Sequence, residues 1–333
     1  MGLNLSKFKA KLLNSYYKKA YKKHKIDFIS WAKTLSDLYY FEQVKKQTKL
    51  FEKKIDIVYS LLCDEKSKQA YQKELTFIFA HQLINNHYFL NFQLGGISPQ
   101  EFSENYERAR RDKSMPQINA PQNTLLYCFV TGYYYRQYEY EISSSKKISV
   151  EDGDIVIDCG AAFGDTAYWA YTKGAKKIYC FEIDPNNLSI IKNTIMDNKF
   201  DHITEIIPKA LGAASGEIFY NYGNNPLMGH ITSSKENDES IPIPVTTIDI
   251  FCAKNNVHPT FIKMDIEGAE LDALEGARET IHKYKPKLAI SIYHKSEHMW
   301  EIPLLIHEIE PNYKFYCKKN APISEFILHA ICE

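Results

Sequence analysis

The stretch "IVIDCGAAFGDTA" at residues 155–167 decides the fold. An apolar run ends in Asp158 and opens at once into a turn that contains Gly160 and Gly164. A buried strand followed by a glycine-containing turn and a helix is typical of the first βα unit of a doubly wound sheet, where that turn contacts a nucleotide cofactor. The charges of the turn therefore indicate which cofactor it holds.

The turn carries carboxylates and departs from the dinucleotide pattern. A dinucleotide site has the form G-x-G-x-x-G, because its pyrophosphate approaches backbone amides and a helix N-terminus. Here Ala162 occupies the middle glycine position, and Asp158 and Asp165 would repel a pyrophosphate. S-adenosylmethionine carries an ammonium and a sulfonium and no phosphate, so the same acids would attract it. The turn therefore predicts S-adenosylmethionine as the cofactor.

Short apolar runs continue along the rest of the chain and alternate with segments of helix length. The runs are "KKIYCFEID", "ITEIIP", "FIKMDIEG" and "KLAISIYH". This βαβ alternation is typical of a parallel sheet with helices on both faces. The last two runs, "NYKFYCKK" and "SEFILHAICE", are joined only by "NAPI", which is too short for a crossover helix. We expect an α/β fold with a mostly parallel, Rossmann-like sheet that closes in an antiparallel hairpin.

The front of the chain has a different pattern. Apolar and aromatic residues recur there at steps of three and four, with lysines between them, which indicates amphipathic helices. Glycine and proline clusters interrupt the pattern, and "SMPQINAPQN" at residues 114–123 is the predicted boundary region. We therefore expect an all-helical N-terminal domain over residues 1–120 and the α/β domain over residues 121–333.

Composition limits the class of protein. The 333 residues are 44% hydrophobic and contain 41 basic and 41 acidic residues, so no overall basic field favours nucleic acid as a partner. The seven cysteines form no CxxC pair and are expected to be reduced thiols. No apolar run approaches the about 20 residues of a membrane span. We expect a cytoplasmic protein.

The first 25 residues carry eight lysines and no carboxylate. The commonest use of such a segment is a solvated helix face. Because leucines and tyrosines lie among the lysines, two further uses stay open: peripheral contact with the anionic inner face of a membrane, and contact with a partner protein. The helices that follow are candidates for a lid, a substrate-selecting surface or a homo-oligomer contact.

Together these motifs resemble the FkbM-type methyltransferases, a branch of the class I S-adenosylmethionine-dependent methyltransferases. The matching segments are "VIDCGAAFGDTA", "CFEIDPNN", "KALGAASGE", "VTTIDIF", "FIKMDIEGAELDALEGA" and "LAISIYHK". They occur in the family's order and spacing over residues 149–333. The resemblance implies a Rossmann-like class I fold. It also implies methylation of hydroxyl groups, often on sugars of surface polysaccharides, such as capsule, or of secondary metabolites.

The resemblance also implies roles for individual residues. Glu182, at the end of the second strand, would hold the ribose, a role that a carboxylate at this position also plays in dinucleotide sites. The residues that would wrap the methionine end of the cofactor are Asp158, Gly160, Ala161, Gly164, Asp165 and Thr166. Those that would border the adenine are Lys209, Ala210 and Leu211.

Catalytic candidates follow the next two strands. Asp265 and Glu267 come at the end of "FIKMDIEG", and His294 ends "KLAISIYH". A hydroxyl is a weak acid, so its methylation needs a base, a metal ion or both. In the favoured alternative, His294 is the general base and Asp265 orients it and the acceptor. In the other, the three side chains bind a divalent metal ion. Glu267 is equally well explained as the cap of the following helix, and His294 as a loop contact.

Three further residues have weaker assignments. His230 lies in the polar insertion at residues 225–237 and is expected either to reach the acceptor or to be a surface residue. His298 and Trp300 follow His294 and suit either a sugar-binding rim or core packing, which is the commoner use of tryptophan.

The sequence thus favours an O-methyltransferase acting on a sugar hydroxyl. The alternatives are methylation of nitrogen or a carboxylate, a protein of the same fold that binds NAD or a nucleotide sugar, and a binding module without turnover.

Overall fold

The computed structural model describes residues 41–83, 137–221, 230–232, 235, 240–319 and 325–332. The described helices are α1 (Phe41–Leu61), α2 (Glu65–Leu83), α3 (Asp165–Thr172), α4 (Pro185–Asp197), α5 (Ile248–Asn255), α6 (Glu270–Glu275), α7 (Arg278–Tyr284) and α8 (His298–Ile309). The described strands are β1 (Tyr140–Ser143), β2 (Lys146–Ile148), β3 (Ile155–Cys159), β4 (Lys177–Phe181), β5 (Thr204–Ile207), β6 (Ala210–Leu211), β7 (Gly216–Asn221), β8 (His230–Thr232), β9 (Ile241–Thr246), β10 (Phe261–Met264), β11 (Lys287–Ser291), β12 (Tyr313–Lys319) and β13 (Phe326–Cys332).

The main sheet has seven strands in the order β12-β13-β11-β10-β3-β4-β5. β11, β10, β3, β4 and β5 are parallel, whereas β13 pairs antiparallel with both β11 and β12. The predicted α/β class and the antiparallel terminal hairpin are therefore confirmed. The connecting segment "NAPI" lies outside the described residues.

The chain reverses its direction of travel across the sheet beside β3. It runs from β3 outward to β5 on one side and then returns to β10, which pairs with the other side of β3. Such a switch point leaves a crevice at the carboxyl ends of the two strands, where ligands of open α/β sheets bind. Met264 lies opposite Cys159 in this pairing, and the Asp265 amide donates to the Cys159 carbonyl at 3.0 Å.

The strands form here because their residues suit a sheet that is covered on both faces. All four residues of β10 are buried, and so are the last four of β3 and of β11. Such continuous burial is expected of parallel strands with helices on both sides. The two faces carry separate apolar clusters, one including Ile157 and Ile290 and the other Val156 and Ala289.

Helices α1 and α2 pack against the end of the sheet that carries the terminal hairpin. The Tyr71 hydroxyl on α2 donates to the Met299 carbonyl at 3.0 Å, and Phe51 on α1 stacks on Trp300 at 4.7 Å. Lys319 on β12 forms a buried ion pair with Glu74 on α2. Trp300 is therefore a core residue.

Much of the predicted helical domain lies outside the described residues, including its lysine-rich start and the boundary near residue 120. The division at residue 120 therefore stays a prediction.

Two smaller sheets accompany the main one. β1 and β2 form an antiparallel pair, and a four-stranded sheet has the order β6-β9-β7-β8. His230, from the polar insertion, begins β8 and pairs with Asn221 of β7, while most of that insertion lies outside the described residues. No helix in the described ranges has both the length and the apolar character of a membrane span.

Candidate active site

The glycine turn packs tightly on the neighbouring elements. Gly160 and Gly164 both have φ of 80°. A Cβ atom on Gly160 would lie 1.9 Å from the Asp265 carbonyl oxygen, and one on Gly164 would lie 2.8 Å from Ile191 of α4. Glycine is needed at both positions for its conformation and for this close approach. The turn after β3 is therefore held directly against the end of β10.

A buried ion pair lies beneath the turn. Asp158 has no exposed surface, and its Oδ1 lies 3.1 Å from the Lys263 ammonium, which is only 2% exposed. The same ammonium donates to the carbonyl oxygens of Cys159 at 3.3 Å and Gly160 at 2.5 Å. The cation that Asp158 meets in the structure is thus a lysine that the sequence analysis did not include. A charged residue inside the apolar run "FIKM" was the signal for it.

Burial and pairing act in opposite directions on this ion pair. Burial raises the pKa of Asp158, and although the Lys263 charge opposes this, the pKa of Asp158 stays above its ordinary value. Burial lowers the pKa of Lys263, but the charges of Asp158, Asp265 and Asp165 outweigh this effect and raise that pKa. Lys263 is therefore the shared cation of three carboxylates around the turn.

Asp165 begins α3 and is buried together with Thr166 and Ala161. Burial raises the pKa of Asp165 to about 7, against the opposing effect of Lys263 and with a further increase from Asp158. A carboxylate with so high a pKa has incomplete charge compensation, because a well-paired carboxylate titrates lower. This position therefore favours a positively charged ligand over an anionic one.

Glu182 follows β4 directly and joins two turns. One carboxylate oxygen accepts from the Ala162 amide at 2.7 Å, and the other accepts from the amides of Ile183 at 2.7 Å and Asp184 at 2.8 Å. Burial raises its pKa against the effect of these amides. Because an ionised carboxylate has about four acceptor sites and three are used here, Glu182 keeps capacity for one hydroxyl group on the oxygen that meets Ala162.

The predicted adenine-bordering residues lie just beyond β5. Lys209 is exposed, and its amide donates to the Ile207 carbonyl at 2.8 Å. Ala210 and Leu211 are buried and form β6, which pairs in parallel with β9. These residues thus lie past the carboxyl end of the sheet, on the same side of β3 as Glu182, and their contact with adenine stays a prediction.

A second group of polar side chains surrounds His294. This histidine lies four residues after Ile290, the β11 residue that pairs with Met264 of β10. Its Nε2 lies 3.3 Å from Asp265 Oδ1 and 3.5 Å from Glu267 Oε2. Its Nδ1 lies 2.8 Å from Glu270 Oε1. The structure therefore brings together all three predicted catalytic candidates and adds Glu270.

Glu270 has no exposed surface and holds the loop between β10 and α6. Its Oε1 accepts from the amides of Ile266 at 2.9 Å and Gly268 at 3.3 Å, besides His294. Its Oε2 lies 3.2 Å from Nδ1 of His298, which is also buried. The group that orients His294 through Nδ1 is therefore Glu270, whereas Asp265, expected in this role, lies at the opposite ring nitrogen. His298 lies behind the cluster and not on a rim.

Glu267 points away from the core. It has φ of 55°, and its side chain is 79% exposed. The N-cap residue of helix α6 is Ala269, and no side-chain hydrogen bond caps the helix. The left-handed turn at Glu267 and Gly268 rotates the first glutamate outward and lets Glu270, three residues later, reach His294. The motif "DIEGAE" thus supplies three carboxylates with different exposures.

The carboxylates set the charge of His294. Burial lowers its pKa, but the hydrogen bond to Glu270 and the charges of Asp265, Glu270 and Glu267 raise it to about 9. Burial alone would raise the pKa of Glu270, yet its contacts with His294 and His298 hold that pKa well below its ordinary range. In the protein alone, His294 is thus an imidazolium at neutral pH.

Two observations complete the site. Asp265, Glu270 and His294 each offer one ligand atom, and these atoms lie within 4.8 Å of one another. Residues of these types bind divalent metals.

The Tyr138 hydroxyl donates to Asp265 Oδ2 at 3.0 Å. Tyr138 was missed by the sequence analysis because it precedes the recognised motifs and stands in an aromatic-rich segment without a pattern of its own.

The residues at the turn fit S-adenosylmethionine better than a dinucleotide. The donor set after β3 and β4 consists of carboxylates, of which Asp165 is incompletely compensated and Glu182 has free acceptor capacity. The lysine at this end, Lys263, is buried beneath the turn and engaged with Asp158. A phosphate would meet negative charge here, whereas a sulfonium and an ammonium would be attracted.

Comparisons with known proteins agree with this geometry. Residues 158–318 match a family model described as the Methyltransferase FkbM domain. The chain is similar to a crystal structure of methyltransferase FkbM from Methylobacillus flagellatus KT, with 24% identity and a TM-score of 0.54, over 86% of this chain and 60% of that one. It thus spans 60% of the length of that protein. The fold is therefore the Rossmann-like fold of methyltransferases.

A more distant similarity was found to precorrin-6y C5,15-methyltransferase from Geobacter metallireducens GS-15. It has 8% identity and a TM-score of 0.36, over 61% of this chain and 87% of that one. Comparison with curated proteins gave no match.

Proposed function

From the match of residues 158–318 to the methyltransferase FkbM domain, we propose that the protein is an S-adenosylmethionine-dependent O-methyltransferase that methylates a sugar hydroxyl. One observation carries the proposal: the acidic glycine turn after β3 lies directly against the strand end that bears Asp265 and the His294 cluster. A cation-binding turn and a proton-accepting group thus share one crevice.

The residues of this chain that would hold the cofactor lie at the ends of β3, β4 and β5. Glu182 would accept from a ribose hydroxyl, and Asp165 would lie near the positive charge of the methionine end. Lys209, Ala210 and Leu211 would border the adenine. When bound, S-adenosylmethionine supplies a methyl group on a positively charged sulfur, ready for transfer to a nucleophile.

His294 would take the proton of the acceptor hydroxyl. Glu270 accepts from Nδ1, so the neutral ring keeps its proton there and presents Nε2 as the basic nitrogen. Asp265 Oδ1 lies 3.3 Å from that nitrogen and is placed to accept a hydrogen bond from the acceptor. Because the pKa of His294 is about 9 in the protein alone, a cation bound at the adjacent turn would help by lowering it.

The nature of the acceptor follows from the polarity of the crevice and from the family. Asp265 and the exposed Glu267 offer carboxylate oxygens, which suit the hydroxyl groups of a sugar or glycan. FkbM-type enzymes, which the sequence resembles, act in surface-polysaccharide and secondary-metabolite biosynthesis.

The proposed methyl transfer would occur in the cytoplasm, and the lysine-rich start of the chain would be available for contact with the inner membrane face. A homo-oligomer fits the same proposal.

A divalent ion is the alternative means of activating the hydroxyl. Ligand atoms of Asp265, Glu270 and His294 lie together, but Glu270 Oε1 is engaged with His294 Nδ1. An ion at His294 Nε2 would therefore be held by Asp265 and Glu267, whose oxygens lie 3.3 and 3.5 Å from that nitrogen. Glu270 would hold the other ring nitrogen, as carboxylates commonly do for metal-binding histidines. An ion there would acidify the hydroxyl directly. Two further alternatives remain. The acceptor atom would be a nitrogen or a carboxylate oxygen in place of a hydroxyl, or the turn would bind NAD or a nucleotide sugar in place of S-adenosylmethionine.

Calorimetric titration with S-adenosylhomocysteine and with NAD tests the cofactor. We expect binding of S-adenosylhomocysteine alone, weakened by Glu182→Gln about 10-fold or more, because hydrogen bonds to a charged group are lost. Glu205→Gln, an exposed glutamate on the neighbouring strand β5, is the matched control. Glu182 suits this test better than Asp158, since removal of Asp158 would leave Lys263 buried without its counter-ion. Binding of NAD instead would overturn the assignment.

Turnover tests the chemistry separately from cofactor binding. With sugar acceptors, His294→Gln should lower kcat by about 10²–10⁴-fold, the usual contribution of a general base, and leave S-adenosylhomocysteine affinity within about twofold of that of the unmodified protein. His202→Gln, at an exposed position before β5, is the control. Full activity of His294→Gln would show that another group takes the proton.

A further inference from the structure

Tyr138 reaches the catalytic cluster from outside the recognised domain. Its phenol donates to Asp265 Oδ2 at 3.0 Å, and the residue is only 3% exposed. The match to the FkbM domain begins at residue 158, 20 residues later. A segment that precedes the domain therefore contributes a side chain to the site.

The phenol is held so that its single hydrogen points at Asp265. Gln137 Nε2 donates to the phenol oxygen at 3.2 Å, which makes that oxygen an acceptor on its other side. Gln137 Nε2 also contacts the Glu325 carboxylate, immediately before β13, and both residues are buried. The Lys263 ammonium lies 5.4 Å from the centre of the Tyr138 ring, in cation–π geometry. The orientation of Tyr138 thus depends on three separate parts of the chain.

The contact has a direct effect on Asp265. With Oδ2 occupied by Tyr138, it is Oδ1 that faces His294 Nε2, at 3.3 Å. Asp265 is therefore held in orientation beside the histidine.

We propose that Tyr138 is a positioning residue of the active site, which fixes the carboxylate of Asp265 against His294 by donating to Oδ2. This inference rests on the proposed role of His294 as the proton acceptor. It extends the functional unit beyond the FkbM domain, to the segment before β1 and, through Gln137, to Glu325 at the start of β13.

The substitution Tyr138→Phe removes one oxygen and keeps the ring. Without the donor, Asp265 Oδ2 is no longer fixed, and Oδ1 can turn away from His294 Nε2 and from the acceptor hydroxyl. The effect should therefore appear in kcat and not in cofactor binding. We expect kcat at neutral pH to fall about 10-fold, with the KM for S-adenosylmethionine unchanged.

Tyr140→Phe is the matched control. Tyr140 is also a fully buried tyrosine whose hydroxyl donates to an aspartate, Asp64, at 2.8 Å, but that aspartate lies next to α2, away from His294. Tyr140→Phe should leave kcat unchanged. Equal kcat in the two variants would overturn the proposal.

Histidine NMR at one fixed pH separates this inference from the proposed function, because it needs no turnover. The His294 ring signal, identified by its loss in His294→Gln, should move in Tyr138→Phe and stay in place in Tyr140→Phe. In an Asp265→Asn background the effect of Tyr138→Phe should vanish, since it acts through Asp265. Absence of transfer to any hydroxyl, with this pattern of signals intact, would refute the proposed function and leave the positioning role supported. An unmoved His294 signal in Tyr138→Phe, with normal turnover, would refute the positioning role alone.

Discussion

The Nδ1 of His294 lies 2.8 Å from Oε1 of Glu270, a carboxylate that is wholly excluded from solvent. The same oxygen accepts from two backbone amides, so it is fixed by the loop after β10. A buried carboxylate in this position keeps the ring proton on Nδ1 and stabilises the imidazolium that forms when Nε2 takes up a second proton. The reactivity of His294 is therefore governed by a residue on the opposite side of the ring from the crevice.

Substitution Glu270→Gln should lower the pKa of His294. Glutamine keeps an acceptor oxygen but removes the negative charge, which together with Asp265 and Glu267 raises this pKa from 6.5 to about 9. The acid limb of the pH–rate profile should move to lower pH, which a profile from pH 6 to 10 measures. Glu275→Gln, an exposed glutamate at the end of the same helix, is the control and should leave the limb in place. An unshifted limb in Glu270→Gln would mean that His294 does not control the reaction.

The same pair should contribute to stability within a defined pH range. The folded pKa of His294 is raised, so its contribution is complete below about pH 6.5 and is lost as the pH rises through about 9. The folded pKa of Glu270 is lowered, so its contribution is complete above about 4.5 and is lost in acid. The difference in free energy of unfolding between the unmodified protein and Glu270→Gln should thus be largest near pH 5.5, up to about 3 kcal/mol.

Urea unfolding at pH 5.5, 7.5 and 9.5 measures this difference. It should shrink at each step as His294 loses its proton. A difference that is equal at all three values would assign the stabilising effect of Glu270 to its two amide contacts and not to the ion pair.

The sheet and the location of the site could be predicted from the sequence, because both depend on local patterns. Runs such as "IVIDC" and "FIKM" indicate buried strands, and the carboxyl ends of such strands meet at one edge. This suffices to bring Asp158, Asp265 and His294 to the same crevice. The short "NAPI" link likewise excludes a crossover helix and identifies the antiparallel hairpin.

The pairing of charged side chains could not be predicted in the same way, since it depends on backbone conformation and on contacts between distant segments. The positive φ of Glu267 turns that side chain outward and brings Glu270 to His294. Lys263 reaches Asp158 because β3 and β10 are neighbours. Tyr138 has no motif around it, and only the packed structure shows its contact with Asp265.

Substitution Lys263→Met should destabilise the protein severely. It leaves the buried Asp158 without its counter-ion, and breaking a buried ion pair costs about 3–5 kcal/mol. The double variant Asp158→Asn with Lys263→Met removes both charges and should recover much of this loss. Free energies of unfolding from urea titration give the comparison. A double variant no more stable than Lys263→Met would show that the bonds from Lys263 to the carbonyl oxygens of Cys159 and Gly160 dominate.

Removal of divalent ions should leave methyl transfer within about twofold of the untreated rate, because His294 supplies the base. Protein dialysed against EDTA, with its metal content measured directly, is assayed against the untreated protein. Loss of activity on chelation, restored by Mn²⁺ or Mg²⁺, would instead assign Asp265, Glu267 and His294 to an ion. In that case Glu270 would act as the carboxylate behind the metal-binding histidine.

Binding of S-adenosylmethionine should depend on the ionisation of Asp165. Its pKa of about 7 means that the carboxylate gains its charge across the neutral range. A sulfonium binds the ionised form better, so affinity for S-adenosylmethionine should rise from pH 6 to pH 8. S-adenosylhomocysteine has the same amino and carboxyl groups but a neutral sulfur, and its affinity should rise less. The ratio of the two dissociation constants at each pH therefore isolates the effect of the sulfonium.

Asp165→Asn provides the decisive comparison, because it keeps the size of the side chain and removes its titration. In this variant the ratio of dissociation constants should be independent of pH, and S-adenosylmethionine should lose its advantage at pH 8. Asp152→Asn, an exposed aspartate in the turn before β3, is the matched control and should behave as the unmodified protein does. If the ratio in the unmodified protein is already constant from pH 6 to 8, Asp165 does not face the sulfonium. The positive charge of the cofactor would then have to be met by another carboxylate at the ends of these strands, such as Glu182 or Asp265.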